Sequence, residues 1–260
     1  MEDRNEAEGG SEEPAKKASG IWARFTQIIM PIAGLFLMLG EASDAAFLLN
    51  DMSRSVIEVF SNRVEYDMLE KIHVGNTVTY AESILGDPQI SRAMGDDVTA
   101  NYFHSSKYLV TLFSRDDRVE AFGVLALQDG FSPSVELGGL GHAELGEFAF
   151  SDTPTRAVEM AVDHSRTTDY YLESLESGPA GRFVNLYLGS VGYGTGGASP
   201  AIGELYSAVL DGETRAVSEA RTNLRASGKP NFYGEGLLSL KLIEASMLTN
   251  AEFNNFFENP

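Results

Sequence analysis

Hydrophobic positions change their period along this chain. From Phe25 to Gly40 sixteen residues pass without a charge (FTQIIMPIAGLFLMLG), and extending the run back to Ile21 includes Arg24. A long arginine stem can carry its charge to an interface. About 20 residues form a helix of roughly 30 Å, the thickness of a bilayer core. Trp22 sits at one end, where an indole favours the headgroup region, and Pro31 and Gly34 are better tolerated in membrane helices than in soluble ones. The pattern predicts a transmembrane anchor over residues 21–40. A signal peptide cleaved after Ala42 or Ala45 and a buried core helix are the rival readings. Lys16, Lys17 and Arg24 precede the run, and the next basic residue is Arg54. That bias predicts a single-pass membrane protein, with a cytoplasmic N-terminus and the rest of the chain across the membrane, extracytoplasmic.

Residues 1–20 are polar and rich in Glu and Gly, which predicts a disordered acidic tail. Beyond the anchor, Leu49, Met52, Val56, Phe60, Val64 and Met68 recur at spacings of 3 and 4. This is an amphipathic helical stripe over 41–71. It either packs on the domain or makes a homo-oligomer through residues 45–70.

Residues 72–130 predict a small α+β module. Thr77 suits an N-cap, Val78, Ala81, Ile84 and Leu85 form one helical face, and Gly86 and Pro88 end the helix. After a polar connector, the runs Tyr108–Phe113 and Val119–Leu127 read as strands joined by a turn at 114–118.

The order Val74-Gly75-x-Thr77, Ile84-Leu85-Gly86-x-Pro88 and a charged Asp116-Asp117-Arg118-Val119 turn resembles the BamE/SmpA type of small bacterial outer-membrane assembly module. The resemblance covers about 55 residues and implies a helix followed by an antiparallel meander, used as a protein-binding unit. Asp117 stands where that pattern usually has glycine. The chain has no cysteine for lipid attachment, so a place in the outer-membrane assembly complex does not carry over. As a whole, the chain is similar to an uncharacterised bacterial membrane-anchored family that has such a module and a second half ending in KPNFYGEGLLSL.

Residues 131–260 predict a second α+β lobe. Phe131–Gly146 is glycine-rich and reads as a connector. Asp152-Thr153-Pro154 opens a predicted helix carrying Ala157, Val158, Ala161 and Val162. A tyrosine segment at 170–172 and a strand over 182–191 follow, then helices over 201–210 and 214–226. Lys229–Gly236 reads as a turn-rich loop, and a last helix spans about 237–247 before Phe253, Phe256 and Phe257. The fold class expected is therefore α+β, behind a transmembrane helix.

Charge and composition narrow the function. The net charge is −19, with 43% hydrophobic and 22% charged residues. A surface this acidic repels phosphate backbones and predicts no nucleic-acid partner. It is either a solubilising coat or a surface that captures a basic partner. The absence of cysteine excludes disulfides, thiol nucleophiles and cysteine-ligated zinc.

Some motifs suggest chemistry. Gly192-Tyr193-Gly194-Thr195-Gly196-Gly197-Ala198-Ser199 fits both a dinucleotide fingerprint, with Asp211 downstream, and a phosphate loop in which Ala198 replaces the lysine. His142-x-Glu144-x-x-Glu147 offers metal ligands or a base. Asp163-His164-Ser165 holds triad residue types, but as neighbours they cannot form a triad among themselves. His73 and His104 are isolated. No nucleophile elbow or zinc-protease motif occurs. Tyr102-Phe103 and Phe232-Tyr233 either line a peptide groove or pack the core, and a meander edge could accept a partner's strand.

The sequence thus predicts a non-catalytic interaction or assembly module of the bacterial envelope that binds a protein partner, with no cofactor, no metal and no catalytic residues. The alternative is a nucleotide-binding or hydrolytic enzyme using loop 192–199.

Overall fold

The computed structural model describes residues 62–137, 141–153, 157–176, 184–197 and 199–258. The acidic tail, the anchor over 21–40 and the stripe as far as residue 61 lie outside the described residues. Among the described residues, no helix is long and apolar enough to cross a membrane.

The fold is α+β, built on one eight-stranded antiparallel sheet. Residues 62–69 are helical. Helix α1 (Val78–Leu85) follows, with the Thr77 side chain accepting a hydrogen bond from the Tyr80 amide and Gly86 ending the helix at φ 83°. Strands β1 (Ile90–Gly95), β2 (Val98–His104), β3 (Tyr108–Arg115) and β4 (Arg118–Ala126) form an antiparallel meander. Its first and third turns are two-residue hairpins, Asp96-Asp97 and Asp116-Asp117, with φ between 49° and 61° at all four residues. Positive φ at both central positions is the turn whose twist matches the flanking strands, and Asp tolerates it better than most side chains. Asp117 thus holds a left-handed position that glycine fills without steric cost. The polar connector expected before β2 is instead strand β1 and its hairpin.

The second half departs further from the sequence reading. The glycine-rich connector contains a two-stranded hairpin, β5 (Ser134–Glu136) with β6 (His142–Glu144). The helix expected after Pro154 is strand β7 (Ala157–His164), paired along its length with β8 (Asp169–Glu176). Its apolar residues suit either period, but Met160 and Val162 pack on one face of the sheet and Ala161 on the other. That alternation belongs to a strand. After β9 (Asn185–Val191), helices α2 (Pro200–Asp211) and α3 (Thr214–Ser227) lie close to the expected spans.

The largest correction concerns residues 229–236. Instead of a loop, Phe232–Gly236 forms strand β10, which pairs with β4 on one side and β9 on the other. The sheet order is β1-β2-β3-β4-β10-β9-β8-β7, so the expected module and lobe share one sheet. The glycines that suggested a turn allow close approach. A Cβ on Gly234 would stand 2.3 Å from the Phe122 carbonyl oxygen, and one on Gly236 would stand 2.2 Å from the Ala121 Cβ. The chain then ends in α4 (Leu240–Ala245), shorter than the predicted helix, α5 (Asn250–Phe253) and a wide helical turn over Asn254–Glu258.

Each face of the sheet carries a core. On one, Val110, Leu112, Val124, Leu186 and Leu188 pack with Leu69, Ala81, Ile202, Leu205 and Leu224. On the other, Tyr102, Phe113, Leu172 and Tyr187 pack with Leu240, Ile243 and Phe253. Burial of both faces explains why β3 and β4 read as nearly continuous apolar runs.

Candidate binding cleft

A concavity of about 840 Å³ lies between the helical segment 62–69, the β5–β6 hairpin and the sheet. Its wall is fixed by Tyr66, whose hydroxyl accepts the Ser132 amide at 2.9 Å, and by Asn62, which donates to the Gly130 carbonyl at 3.2 Å. Leu69 and Ile72 supply apolar surface from the segment. From the sheet come Phe122 and Tyr233, their rings edge to face with centroids 6.2 Å apart. Around this apolar floor stand Glu70, Glu136, Glu144 and Glu235, with His73 and His142. Among the described residues, no lysine or arginine lines the cleft.

Strand geometry sets this constellation. β5 pairs with β6 so that Glu136 faces His142 and Ser134 faces Glu144. Residues two apart on a strand share a face, so His142 and Glu144 stand together on β6, and Tyr233 and Glu235 on β10. Tyr233 is 7% exposed. Burial drives its phenol well above the ordinary value, and the charges of Glu235 and Glu70 push it further. It is therefore a neutral hydroxyl throughout the physiological range, and it bonds to no other described residue.

Of the four aromatics expected as partner-binding residues, only Tyr233 reaches this cleft. Tyr102, Phe103 and Phe232 are 1%, 2% and 3% exposed, so the groove they would line is replaced by core packing. Tyr102 donates to the Ser246 carbonyl at 2.8 Å, and burial raises its phenol to about 12. The Phe232 ring lies in a notch over Gly123 and Gly189, where a Cβ would stand 2.6 Å and 3.2 Å from it.

The motif residues are dispersed. His142 and Glu144 line the acidic cleft, whereas Glu147 lines a second, smaller one. Among the described residues, no group of three or more His, Asp and Glu is placed to hold a metal ion. His164 Nδ1 lies 3.1 Å from Asp169 Oδ1, while the Ser165 hydroxyl contacts Thr167 and Thr168 within the β7–β8 turn. His104 stacks on Phe257 with centroids 4.5 Å apart.

The glycine-rich loop borders the second cleft, about 470 Å³, with Ser190, Lys229, Asp129 and the start of α2. Asn231 braces that loop, accepting from the Val191 amide and donating to the Val191 and Thr195 carbonyls. A Cβ on Gly194 would lie 2.7 Å from the Asn231 amide nitrogen. Packing against Asn231 and the end of β4 thus accounts for at least one glycine of the motif.

Sequence reasoning missed Tyr66, Glu70, Phe122, Glu136 and Glu235. The signals were His142-x-Glu144 and Tyr233; the other residues meet them only through contacts distant in sequence. Comparison with protein-family models, with curated proteins and with solved structures finds no match.

Proposed function

We propose that this chain is a non-catalytic protein-interaction module of the bacterial envelope. Residues 21–40 hold it in the inner membrane with its N-terminus in the cytoplasm, and the folded domain faces the periplasm. The observation that carries the binding reading is the cleft. It has an apolar aromatic floor, a polar rim and a volume within the roughly 300–1,000 Å³ usual for sites that seat a ligand group. The resemblance of residues 72–127 to a small envelope binding module supports the same class of function.

Photo-cross-linking in cells tests this reading. A benzophenone side chain at His142, on the rim, is expected to give discrete protein adducts. The same group at Arg215, exposed on α3, gives none. Adducts from neither position, or equally from both, overturn it.

A second reading, nucleotide binding at loop 192–199, draws on the smaller cleft, where Ser190 and Lys229 lie beside the start of α2. Helix N-termini favour anions. Against it, Asp129 and Glu147 line the same space, and Pro200 lacks an amide proton at the first helical position. A thermal shift with millimolar ATP or NAD supports this reading, and its absence removes it.

A further inference from the structure

We infer that the occupant of the acidic cleft is a cationic side chain, lysine or arginine, presented by a partner segment with apolar neighbours. This rests on the interaction-module reading and specifies its partner.

Among the described residues, four carboxylates and no lysine or arginine line the space. Glu70, Glu136 and Glu144 belong to no ion pair among the described residues. Other acidic side chains are neutralised locally: Glu65 by Lys107 at 2.6 Å, Glu120 by Arg115 at 3.0 Å, and Glu252 by Arg92 at 2.6 Å. At Glu70, Glu136 and Glu144 acidic charge is thus gathered without an ion-pair partner among the described residues, and a cation entering the cleft supplies one.

The floor independently suits the same occupant. Tyr233 is more than nine-tenths buried and lines the cleft, its neutral hydroxyl has no hydrogen-bond partner among the described residues, and it feels the charges of Glu70 and Glu235. A hydroxyl so placed accepts from an ammonium or guanidinium, or donates to a peptide carbonyl. Phe122 and Tyr66 add aromatic surface, and Leu69 and Ile72 aliphatic surface. Long basic side chains bury their stems on such surfaces and carry their charge to polar groups, and a cation over an aromatic face gains further attraction.

Other occupants fit less well. An anion meets four like charges. A purely apolar ligand would desolvate carboxylates without pairing them. A bound metal ion lacks a converging ligand set among the described residues.

The test is selection from a library of random nine-residue peptides against the full chain in detergent. Selected peptides are expected to contain Lys or Arg beside Leu, Ile or Phe. Replacing that cation by norleucine should weaken binding by about tenfold or more, the range of a charge-assisted contact. The triple variant Glu70→Gln, Glu136→Gln, Glu144→Gln should lose binding similarly, and Tyr233→Phe should weaken it severalfold. A control removing three exposed charges elsewhere (Asp87→Asn, Asp97→Asn, Glu213→Gln) should change it less than about twofold, which separates the cleft from the general field. Cation-independent binders that still cross-link at His142 overturn the inference and leave the interaction reading standing. The inference also fails if the control variant loses as much binding as the triple variant. If no binders depend on the cleft and His142 yields no adduct in cells, both fail.

Discussion

Arg225 on α3 reaches Glu173 on β8 and forms an ion pair inside the fold, where Glu173 is fully buried. The same guanidinium donates to the Phe150 carbonyl at 2.7 Å and to the Thr153 hydroxyl at 3.0 Å, and Tyr171 donates to the carboxylate at 2.7 Å. One side chain thereby fastens α3 and the turn at 150–153 to the sheet. Arg225→Met leaves a buried carboxylate with the Tyr171 hydroxyl and, among the described cations, only Arg221 at 3.9 Å, and should cost about 3 kcal/mol in urea unfolding. Adding Glu173→Leu removes the stranded charge and should recover most of that loss. An Arg225→Met chain as stable as the original would rule out this role.

Close backbone approach at β10 gives a second expectation. Gly234→Ala places a methyl 2.3 Å from the Phe122 oxygen in the middle of the sheet. The strand must shift, at a cost of about 2–3 kcal/mol by analogy with overpacked cores. Gly212→Ala, at the exposed αL end of α2 (φ 74°), is the comparison: nothing lies within 4 Å of its Cβ, and only backbone strain of about 1 kcal/mol applies. Equal losses at the two sites would contradict the packing argument.

Acid should loosen the C-terminal turn before the sheet. Burial raises the Glu252 carboxyl, but hydrogen bonds from Thr249 and the nearby Arg92 outweigh it and hold the group below its ordinary value. A lowered folded value means stability present above the unfolded pKa and lost as pH falls through the folded one. Hydrogen exchange at 249–258 should therefore accelerate as pH drops below the ordinary glutamate range, after correction for intrinsic rates. Glu252→Gln should abolish that dependence.

These expectations rest on parts of the fold that were unequally legible in the sequence. Helix α1 was readable because Thr77 and Gly86 mark its ends, and β3 and β4 because charged turn residues separate two apolar runs. β10 was hidden because Gly234 and Gly236 look like turn residues when alone, and only the neighbouring backbone of β4 explains them. β7 was misread because Ala157, Val158, Ala161 and Val162 satisfy a helical stripe as well as a strand, and pairing with β8 decides the matter. The cleft suffered most. His142 and Glu144 drew notice as possible ligands, but their meeting with Glu70 and Tyr233 requires contacts between residues far apart in sequence.

Placement in the membrane is tested separately, with a C-terminal tag. The tagged chain should sediment with membranes and become protease-sensitive when the outer membrane alone is opened. Recovery in the soluble fraction, or protection until the inner membrane is broken, would reverse the proposed topology.

The central claim, that the cleft seats a partner, is tested most directly by filling it. Ser134 lies on the cleft wall and is exposed, so Ser134→Trp should occupy the space without disturbing either core. In cells carrying the benzophenone at His142, the account predicts that this substitution abolishes the protein adduct while urea unfolding stays unchanged. An adduct of undiminished yield from a cleft blocked in this way would contradict it.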